Sequence, residues 1–245
     1  MKISRVLSGI LVFGCILSTL FFLYGFKNYE NDIVSYTIDL NKADLKFYWK
    51  DKDGNIIRSL QNLKLLAEEN HQKLVFAMNG GMYQKDNSPQ GLYIEDAKVI
   101  SKLNTGSGNG NFHMKPNGVF YITTNNKAYI SQTSEFKSKD IKYATQSGPM
   151  LVIDGTIHPV FQKGSQNLNI RNGVGILPDG NIIFAISKNE INFYDFAQYF
   201  KDAGCKNALY LDGFVSRAYI PEKNWIQTDG NFGVIIGVTE KLNNH

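Results

Sequence analysis

Cysteine is scarce in this chain of 245 residues, which contains only Cys15 and Cys205. Cys15 lies within a long apolar run near the N-terminus, so the two thiols cannot pair while that run stays in a membrane. We therefore predict that the rest of the chain folds without an internal disulfide and depends on its hydrophobic core. Cys205 is expected to be a small buried apolar residue and not a nucleophile.

Clustered positive charge and paired histidines are also lacking. The net charge is +4, but the 26 Lys and Arg residues are dispersed, which argues against a surface that binds nucleic acid. The four histidines have no spacing typical of zinc ligands, and there is no P-loop or dinucleotide fingerprint. We predict neither a metal site nor a cofactor. His113 could still lie in a ligand pocket, with an ordinary structural histidine as the alternative.

Long uncharged stretches are absent except for one, from Val6 to Phe26. Its length of about 20 residues suits a membrane helix. Lys2 and Arg5 precede it, which favours a cytoplasmic N-terminus and an exported remainder. A cleaved signal peptide is the alternative, but the apolar run is long and lacks a small-residue exit. We expect a signal anchor at 1–28 and a domain at 29–245 on the outer side of the membrane.

Short apolar segments dominate the remainder and predict a domain rich in strands. Only two helices are expected: 59–71, capped by Ser59, and 193–204, with Phe196 and Phe200 at helical spacing and Gly204 at its end. Because strands are many and do not alternate regularly with helices, the pattern predicts an α+β fold around a twisted mixed sheet. The predicted strands cover 33–40, 45–49, 73–79, 91–96, 117–123, 128–132, 149–155, 173–178, 181–187, 207–213 and 232–239.

Polar residues and glycines adjoin four of these strands. Glycine at a strand exit lets a ligand approach the backbone closely, and a neighbouring polar side chain can point into the space beyond the sheet. Each segment alone is an ordinary turn, but four together suggest a pocket. They are Asn79-Gly80-Gly81, Ser147-Gly148-Pro149, Arg171 in IRNGVGI, and Asp212-Gly213 with Ser216 in YLDGFVS.

These segments resemble the phosphodiester glycosidase family, and especially its short bacterial members. The family includes the enzyme that uncovers mannose 6-phosphate by removing N-acetylglucosamine. Many members have Asp-Gly-Gly-Gly-Ser in the last motif, whereas this chain has Asp212-Gly213-Phe214-Val215-Ser216, which bears on substrate identity. The resemblance runs in order over roughly residues 70–240, through NGGMYQKDNSPQGLYIEDAKVI, GNFHMKPNGVFYI, ATQSGPMLVIDGTIHP, IRNGVGI, INFYDFAQYF and NALYLDGFVSRAY.

The resemblance implies that the polar strand exits converge on one pocket. The reaction of the family breaks the bond between an anomeric carbon and a phosphodiester oxygen. It calls for a cation at the phosphate and for a carboxylate that stabilises the oxocarbenium ion or activates water. We assign Arg171 to the phosphate, with a surface ion pair as the alternative, and Asp212 as the carboxylate, with a turn cap as the alternative.

Other residues are expected to contact the substrate without reacting. Asn79 and Ser147 would hold sugar hydroxyls, and the Gly80 and Gly81 amides could bind phosphate oxygens. Further candidates are Gly148, Gly213, Ser216, Lys115 and Asn117. A second carboxylate, if there is one, could be Asp154, Asp86 or Glu95, although the pair Asp154-Gly155 first suggests a hairpin turn.

Two functions are consistent with this sequence. The first is a membrane-anchored bacterial hydrolase that cleaves sugar-1-phosphodiesters in the cell envelope, with a glycan or phosphodiester substrate and the membrane as its partners. The second is a non-catalytic module that binds glycans or phosphoglycans. Retention of both Arg171 and Asp212 favours the enzyme, because a binding module needs the cation more than the carboxylate. The bulky Phe214 and Val215 favour the binding module.

Overall fold

A computed structural model of the chain describes residues 29, 31–137, 139–212 and 215–242. The predicted membrane anchor at 1–28 lies outside these residues. In the part of the chain that is described, no helix is long and apolar enough to cross a membrane. The predicted α+β class is confirmed in its main feature, because strands dominate these residues and only two α-helices accompany them.

The strands follow the apolar segments of the sequence, with small shifts at their ends. In the described residues they are β1 (Ile33–Ile38), β2 (Leu45–Tyr48), β3 (Gln72–Asn79), β4 (Tyr93–Glu95), β5 (Lys98–Ser101), β6 (Gly118–Thr123), β7 (Ala128–Gln132), β8 (Ile141–Ser147), β9 (Met150–Ile153), β10 (Thr156–Ile157), β11 (Asn172–Ile176), β12 (Ile182–Ser187), β13 (Ala208–Tyr210), β14 (Ala218–Ile220), β15 (Trp225–Ile226) and β16 (Ile235–Lys241).

The strands form three sheets and not the single mixed sheet that was predicted. The first sheet has the order β1-β12-β11-β13-β9-β10, the second β15-β14-β3-β16-β2, and the third β5-β4-β8-β6-β7. Every pairing between these strands is antiparallel. Antiparallel neighbours need no helical crossover, which is why so few helices accompany so many strands.

One hydrophobic core joins the three sheets. Phe184 of the first sheet packs against Phe76 of the second and Phe120 of the third, with ring centroids 5.0 and 5.8 Å apart. Burial of such aromatic side chains is the largest favourable contribution to the free energy of folding in a domain without disulfides. The relative position of the sheets is therefore set by their shared core.

The first helix, α1 (Leu60–Glu69), covers one face of the second sheet. The Ser59 hydroxyl caps it by accepting a hydrogen bond from the Asn62 amide, as predicted. Leu60 and Leu63 are buried on its inner face, against Leu74 and other residues of the second sheet. Its apolar stripe thus fixes the helix against β3, the strand that ends at Asn79.

The second helix, α2 (Phe193–Asp202), packs against the first sheet. Phe196 and Phe200 are fully buried, and the left-handed Gly204 follows the helix end, so both predictions are confirmed. Gly175 of β11 leaves room for Phe200, because a Cβ at Gly175 would lie 2.8 Å from that ring. Cys205 is buried, as predicted, and burial raises the pKa of its thiol to about 12, which disfavours the reactive thiolate.

Candidate functional site

The candidate site is the loop that follows β13 and leads to β14, with Asp212 at its start. Asp212 is half-buried, and Gly213 and Phe214 lie outside the described residues. Ser216, at the other end of the loop, places its hydroxyl 2.9 Å from the Asp212 carbonyl oxygen. The loop therefore closes on itself through a hydrogen bond between two of the predicted site residues.

Asn172, the first residue of β11, is the centre of the hydrogen-bond network beneath this loop. Its side-chain oxygen accepts a hydrogen bond of 3.0 Å from the Asp212 amide. Its side-chain nitrogen donates to the backbone and side-chain oxygens of Asn79, both at 3.0 Å. Asn172 is fully buried, so these bonds form in a medium from which water is excluded.

Two further side chains hold the same stretch of backbone. Asn79, at the end of β3, donates to the Asp212 carbonyl at 3.2 Å and accepts from the Arg217 amide at 2.8 Å. Ser147, at the end of β8, donates to the Leu211 carbonyl. The three strands β3, β8 and β11 belong to three different sheets. The polar strand exits do meet, and they meet at the backbone on either side of Asp212.

This geometry gives Asn79, Ser147 and Ser216 a role in addition to the one predicted from the sequence. Their polar atoms bond to the loop backbone, and all three side chains are buried. They are therefore placed to fix the backbone at Asp212. Direct contact between these side chains and a sugar stays a prediction.

Arg171 lies just before Asn172 and is almost completely enclosed, with 1% of its surface exposed. Its Nε donates to the Ile191 carbonyl at 2.7 Å, and one terminal nitrogen donates to the carbonyl and side-chain oxygens of Asn167 at 2.8 and 3.1 Å. The other terminal nitrogen lies 3.3 Å from the Tyr210 hydroxyl. Most of the guanidinium hydrogens are therefore already directed at protein acceptors.

The charge of Arg171 is nevertheless not neutralised by an ion pair with any described carboxylate. The guanidinium stacks 3.6 Å above the Phe193 ring, and burial lowers its pKa without discharging it. The surface ion pair considered from the sequence is thus not what the structure contains. The phosphate role of Arg171 stays a prediction, and a bidentate grip would require some of the present bonds to be exchanged.

The glycines of the motifs serve close packing. The Gly80 amide donates to the Val234 carbonyl at 2.8 Å, so this N–H is used within the second sheet. A Cβ at Gly81 would lie 2.3 Å from the Thr145 hydroxyl, and one at Gly148 would lie 2.6 Å from the Asn117 Cβ. A larger residue at Gly81 would push the end of β3 away from β8, and one at Gly148 would collide with Asn117.

Lys115 and Asn117 line a separate cavity. The Lys115 ammonium donates to the Thr105 carbonyl at 3.2 Å, and the Asn117 amide donates to the Phe112 carbonyl at 2.7 Å. His113 ends a short 3-10 helix and packs edge-on against Phe112, with ring centroids 5.0 Å apart. These contacts place the MKPNG segment beside the third sheet.

Two of the three alternative carboxylates accept hydrogen bonds from nearby residues, and the third lies in a hairpin turn. Asp154 occupies the β9–β10 hairpin turn with a left-handed backbone, as the Asp-Gly pair predicted. Asp86 accepts from the Ser88 amide and hydroxyl, which lower the pKa of its carboxyl. Burial raises the pKa of Glu95, which accepts from the Tyr93 hydroxyl at 2.6 Å. In the described ranges, no group of three or more His, Cys, Asp and Glu side chains could share a metal ion.

Three residues near the loop were not predicted from the sequence: Asn172, Tyr83 and Arg217. Burial raises the pKa of the Tyr83 phenol, and the negative charge of Asp212 adds to the effect, so the two groups are electrostatically coupled. Arg217 donates through Nε to both oxygens of Asp229, at 2.8 and 2.9 Å, and this contact lowers the Asp229 pKa. Each of the three lies within a segment that resembles the family, and this position was the only sign in the sequence that could have identified it.

Packing accounts for one of the two bulky residues, Phe214 and Val215, that replace glycines in the last motif. Val215 packs against the hydrophobic cluster beneath α1, which includes Leu60, Tyr219 and Phe232. This side chain is therefore accommodated by the core of the second sheet. Phe214 lies outside the described residues.

Known proteins resemble the chain both in sequence and in fold. The uncharacterized protein YigE of Escherichia coli K12 is 42% identical over 191 residues, which cover 77% of this chain and 74% of YigE. The catalytic domain of zebrafish N-acetylglucosamine-1-phosphodiester alpha-N-acetylglucosaminidase, auto-inhibited by its pro-peptide, superimposes with a TM-score of 0.61 at 14% identity. This match covers 88% of this chain and 85% of that domain.

A second solved structure, a hypothetical protein from Synechocystis, has a TM-score of 0.54 at 14% identity over 84% of this chain and 59% of that one. Likeness at such low identity shows a shared fold. The family itself is shown by sequence, because the profile of the phosphodiester glycosidase family matches residues 72–239. This chain belongs to the phosphodiester glycosidase family.

Proposed function

We propose that the domain hydrolyses the bond between a sugar anomeric carbon and a phosphodiester, with Asp212 as the reacting carboxylate. The observation that carries this proposal is the fixation of the Asp212 backbone. Its amide and carbonyl, and the carbonyl before it, are bonded by Asn172, Asn79, Ser216 and Ser147. Buried polar side chains are costly unless satisfied, and here they are directed at one loop position.

A carboxylate on a fixed backbone suits this reaction. A phosphodiester is a good leaving group, so the main need is to stabilise positive charge at the anomeric carbon or to activate water on its other side. Either role requires a carboxylate held within a fraction of an ångström. Burial and, to a lesser extent, the charge of Asp212 raise the pKa of Tyr83, and this phenol would then contact the same substrate in its neutral form.

Arg171 would provide the positive charge for the phosphodiester. Its guanidinium is shielded from water and has no ion pair with a described carboxylate, so its field is weakly screened. Because Arg171 is bonded to Asn167 and Tyr210, it acts through its field unless substrate binding exchanges those bonds.

We further propose that the protein acts outside the cytoplasm, anchored by the apolar run from Val6 to Phe26. Sugar-1-phosphodiester linkages of envelope glycans or glycoconjugates are then the substrate class within reach. The enzyme named in the zebrafish structure acts on an N-acetylglucosamine-1-phosphodiester, which supports a substrate of this chemical type.

The test is steady-state kinetics of the purified full-length protein, in detergent, on a panel of sugar-1-phosphodiesters. Asp212→Asn should lower turnover by about 10²–10⁴-fold with little change in binding. Asp179→Asn is the matched control, because this exposed carboxylate accepts its hydrogen bonds from Asn181 within its own turn. Near-normal turnover of the Asp212 variant would refute its catalytic role. Binding without turnover by the wild type would favour the glycan-binding module instead.

A further inference from the structure

The feature that the proposed reaction leaves unused is a cavity of about 390 Å³ beside the third sheet. Its walls come from Thr105, from the segment 115–117 and from the segment 132–134. This volume falls within the usual range for sites that hold small molecules. We propose that the cavity binds a sugar unit bearing an anionic group, a phosphate or a carboxylate.

The walls of the cavity are held by a fully buried side chain, Gln146. Its oxygen accepts from the Leu92 and Asn104 amides at 3.0 and 2.9 Å, and its nitrogen lies 2.7 Å from the Asn104 carbonyl. The same nitrogen lies 3.2 Å from the Thr133 hydroxyl oxygen. One side chain thus ties the segment before Thr105 to the opposite wall, so the shape exists before a ligand arrives.

The charge carried by the lining residues of the cavity is positive. Lys115 is among its lining residues, none of those described is acidic, and no described carboxylate forms an ion pair with Lys115. The ammonium group has three hydrogens, and one donates to the Thr105 carbonyl at 3.2 Å. The other two can serve an anion, which favours phosphate or carboxylate over a neutral ligand.

The remaining lining groups fit a sugar. The Thr133 oxygen accepts from Gln146, so its own hydrogen is available to a ligand hydroxyl. The exposed residues Ser134 and Thr105 add two further hydroxyls to the lining, and Pro116 adds apolar surface for the C–H face of a pyranose. Hydroxyl donors beside one cation and an apolar wall distinguish a charged sugar from inorganic phosphate.

The cavity lies close to the Asp212 loop through a short series of contacts. Asn117 packs against Gly148, and the preceding Ser147 bonds to the Leu211 carbonyl. A ligand in the cavity would therefore lie near the loop without using its carboxylate. The inference does not depend on hydrolysis, because binding in the cavity can be measured when turnover is absent.

The experiment is calorimetric titration of the full-length protein, and of its Asp212→Asn variant, with glucose 6-phosphate, glucuronate, glucose and inorganic phosphate. We expect both proteins to bind glucose 6-phosphate or glucuronate at least about tenfold more tightly than glucose or inorganic phosphate. The two charged sugars distinguish phosphate from carboxylate. Lys115→Met should weaken binding of the charged sugar by about tenfold or more, and Thr133→Val by a smaller factor.

Lys98→Met is the matched control, since Lys98 is an exposed lysine on the edge strand β5, and it should bind normally. Unchanged binding in Lys115→Met would overturn the proposal, as would equal affinity for glucose and the charged sugars. Loss of binding in Lys115→Met with an unchanged melting temperature would support it. Failure of hydrolysis with intact charged-sugar binding would count against the proposed reaction alone.

Discussion

Asn172→Asp changes one atom of the side chain that organises the Asp212 loop, with almost no change in shape. The oxygen that accepts from the Asp212 amide is retained. The nitrogen that donates to Asn79 becomes an oxygen, which then faces two oxygen atoms about 3.0 Å away. Two hydrogen bonds are lost and a negative charge is buried without a donor beyond the Asp212 amide and Ser216.

The expected cost at pH 7 is about 3–5 kcal/mol of unfolding free energy, from about 1 kcal/mol for each lost bond and the remainder for the buried charge. For a domain of this size, that cost lowers the melting temperature by roughly 6–20 °C. Burial with no more donors than these raises the folded-state pKa of the new carboxyl above its unfolded value of about 3.9. Stability is therefore retained below the unfolded pKa and lost as pH rises through the folded pKa.

The assay compares the variant with the wild type by thermal melts at pH 4 and pH 7, alongside turnover. At pH 4 the protonated carboxyl can again donate to Asn79, and the deficit should shrink to about 1–2 kcal/mol. Asn207→Asp is the control: Asn207 also donates to a carbonyl and accepts from an amide, but it is less buried and holds the β9–β10 turn. Equal deficits at both pH values would refute our reading of the Asn172 amide.

The remaining predictions concern the two helices. Phe200→Ala should lower the free energy of unfolding by about 3–5 kcal/mol, because this fully buried ring fills the space over Gly175. Chemical denaturation measures this loss, and an unchanged midpoint would show that α2 does not contribute to the core. Ser59→Ala should lower the free energy of unfolding by about 0.5–2 kcal/mol, because the Asn62 amide loses its cap. Ser59→Asp should retain most of the stability, and equal losses in both variants would contradict the capping role.

Local patterns in the sequence predicted the elements better than their arrangement. Ser59 and Gly204 marked helix ends because capping depends on neighbours in the chain. The strand β8 was missed because Thr145, Gln146 and Ser147 are polar yet buried, which hides the alternation that signals a strand. The division into three antiparallel sheets could not be predicted, because strand order depends on contacts between distant segments.

The sequence indicated several residues of the candidate site but not the hydrogen bonds that connect them. Asp212, Asn79, Ser147 and Ser216 were named from strand exits, and the structure brings them together. Asn172 stood in a recognised motif and was passed over, because a buried amide is identified only by its partners from other strands. For the same reason, the enclosure of Arg171 by Phe193 and Asn167 could not be read from the sequence.

The loop at Asp212 is bonded by one side chain from each of the three sheets, and this has a consequence for how the protein opens. If any sheet separates from the others, one of Ser147, Asn79 or Asn172 loses its partner in the loop. Partly opened forms that keep two sheets docked should therefore lack the arranged loop, even while most strand amides resist hydrogen exchange. With Asp212 in its proposed role, the loop would be complete only when the last sheet docks, so activity would report complete assembly of the fold.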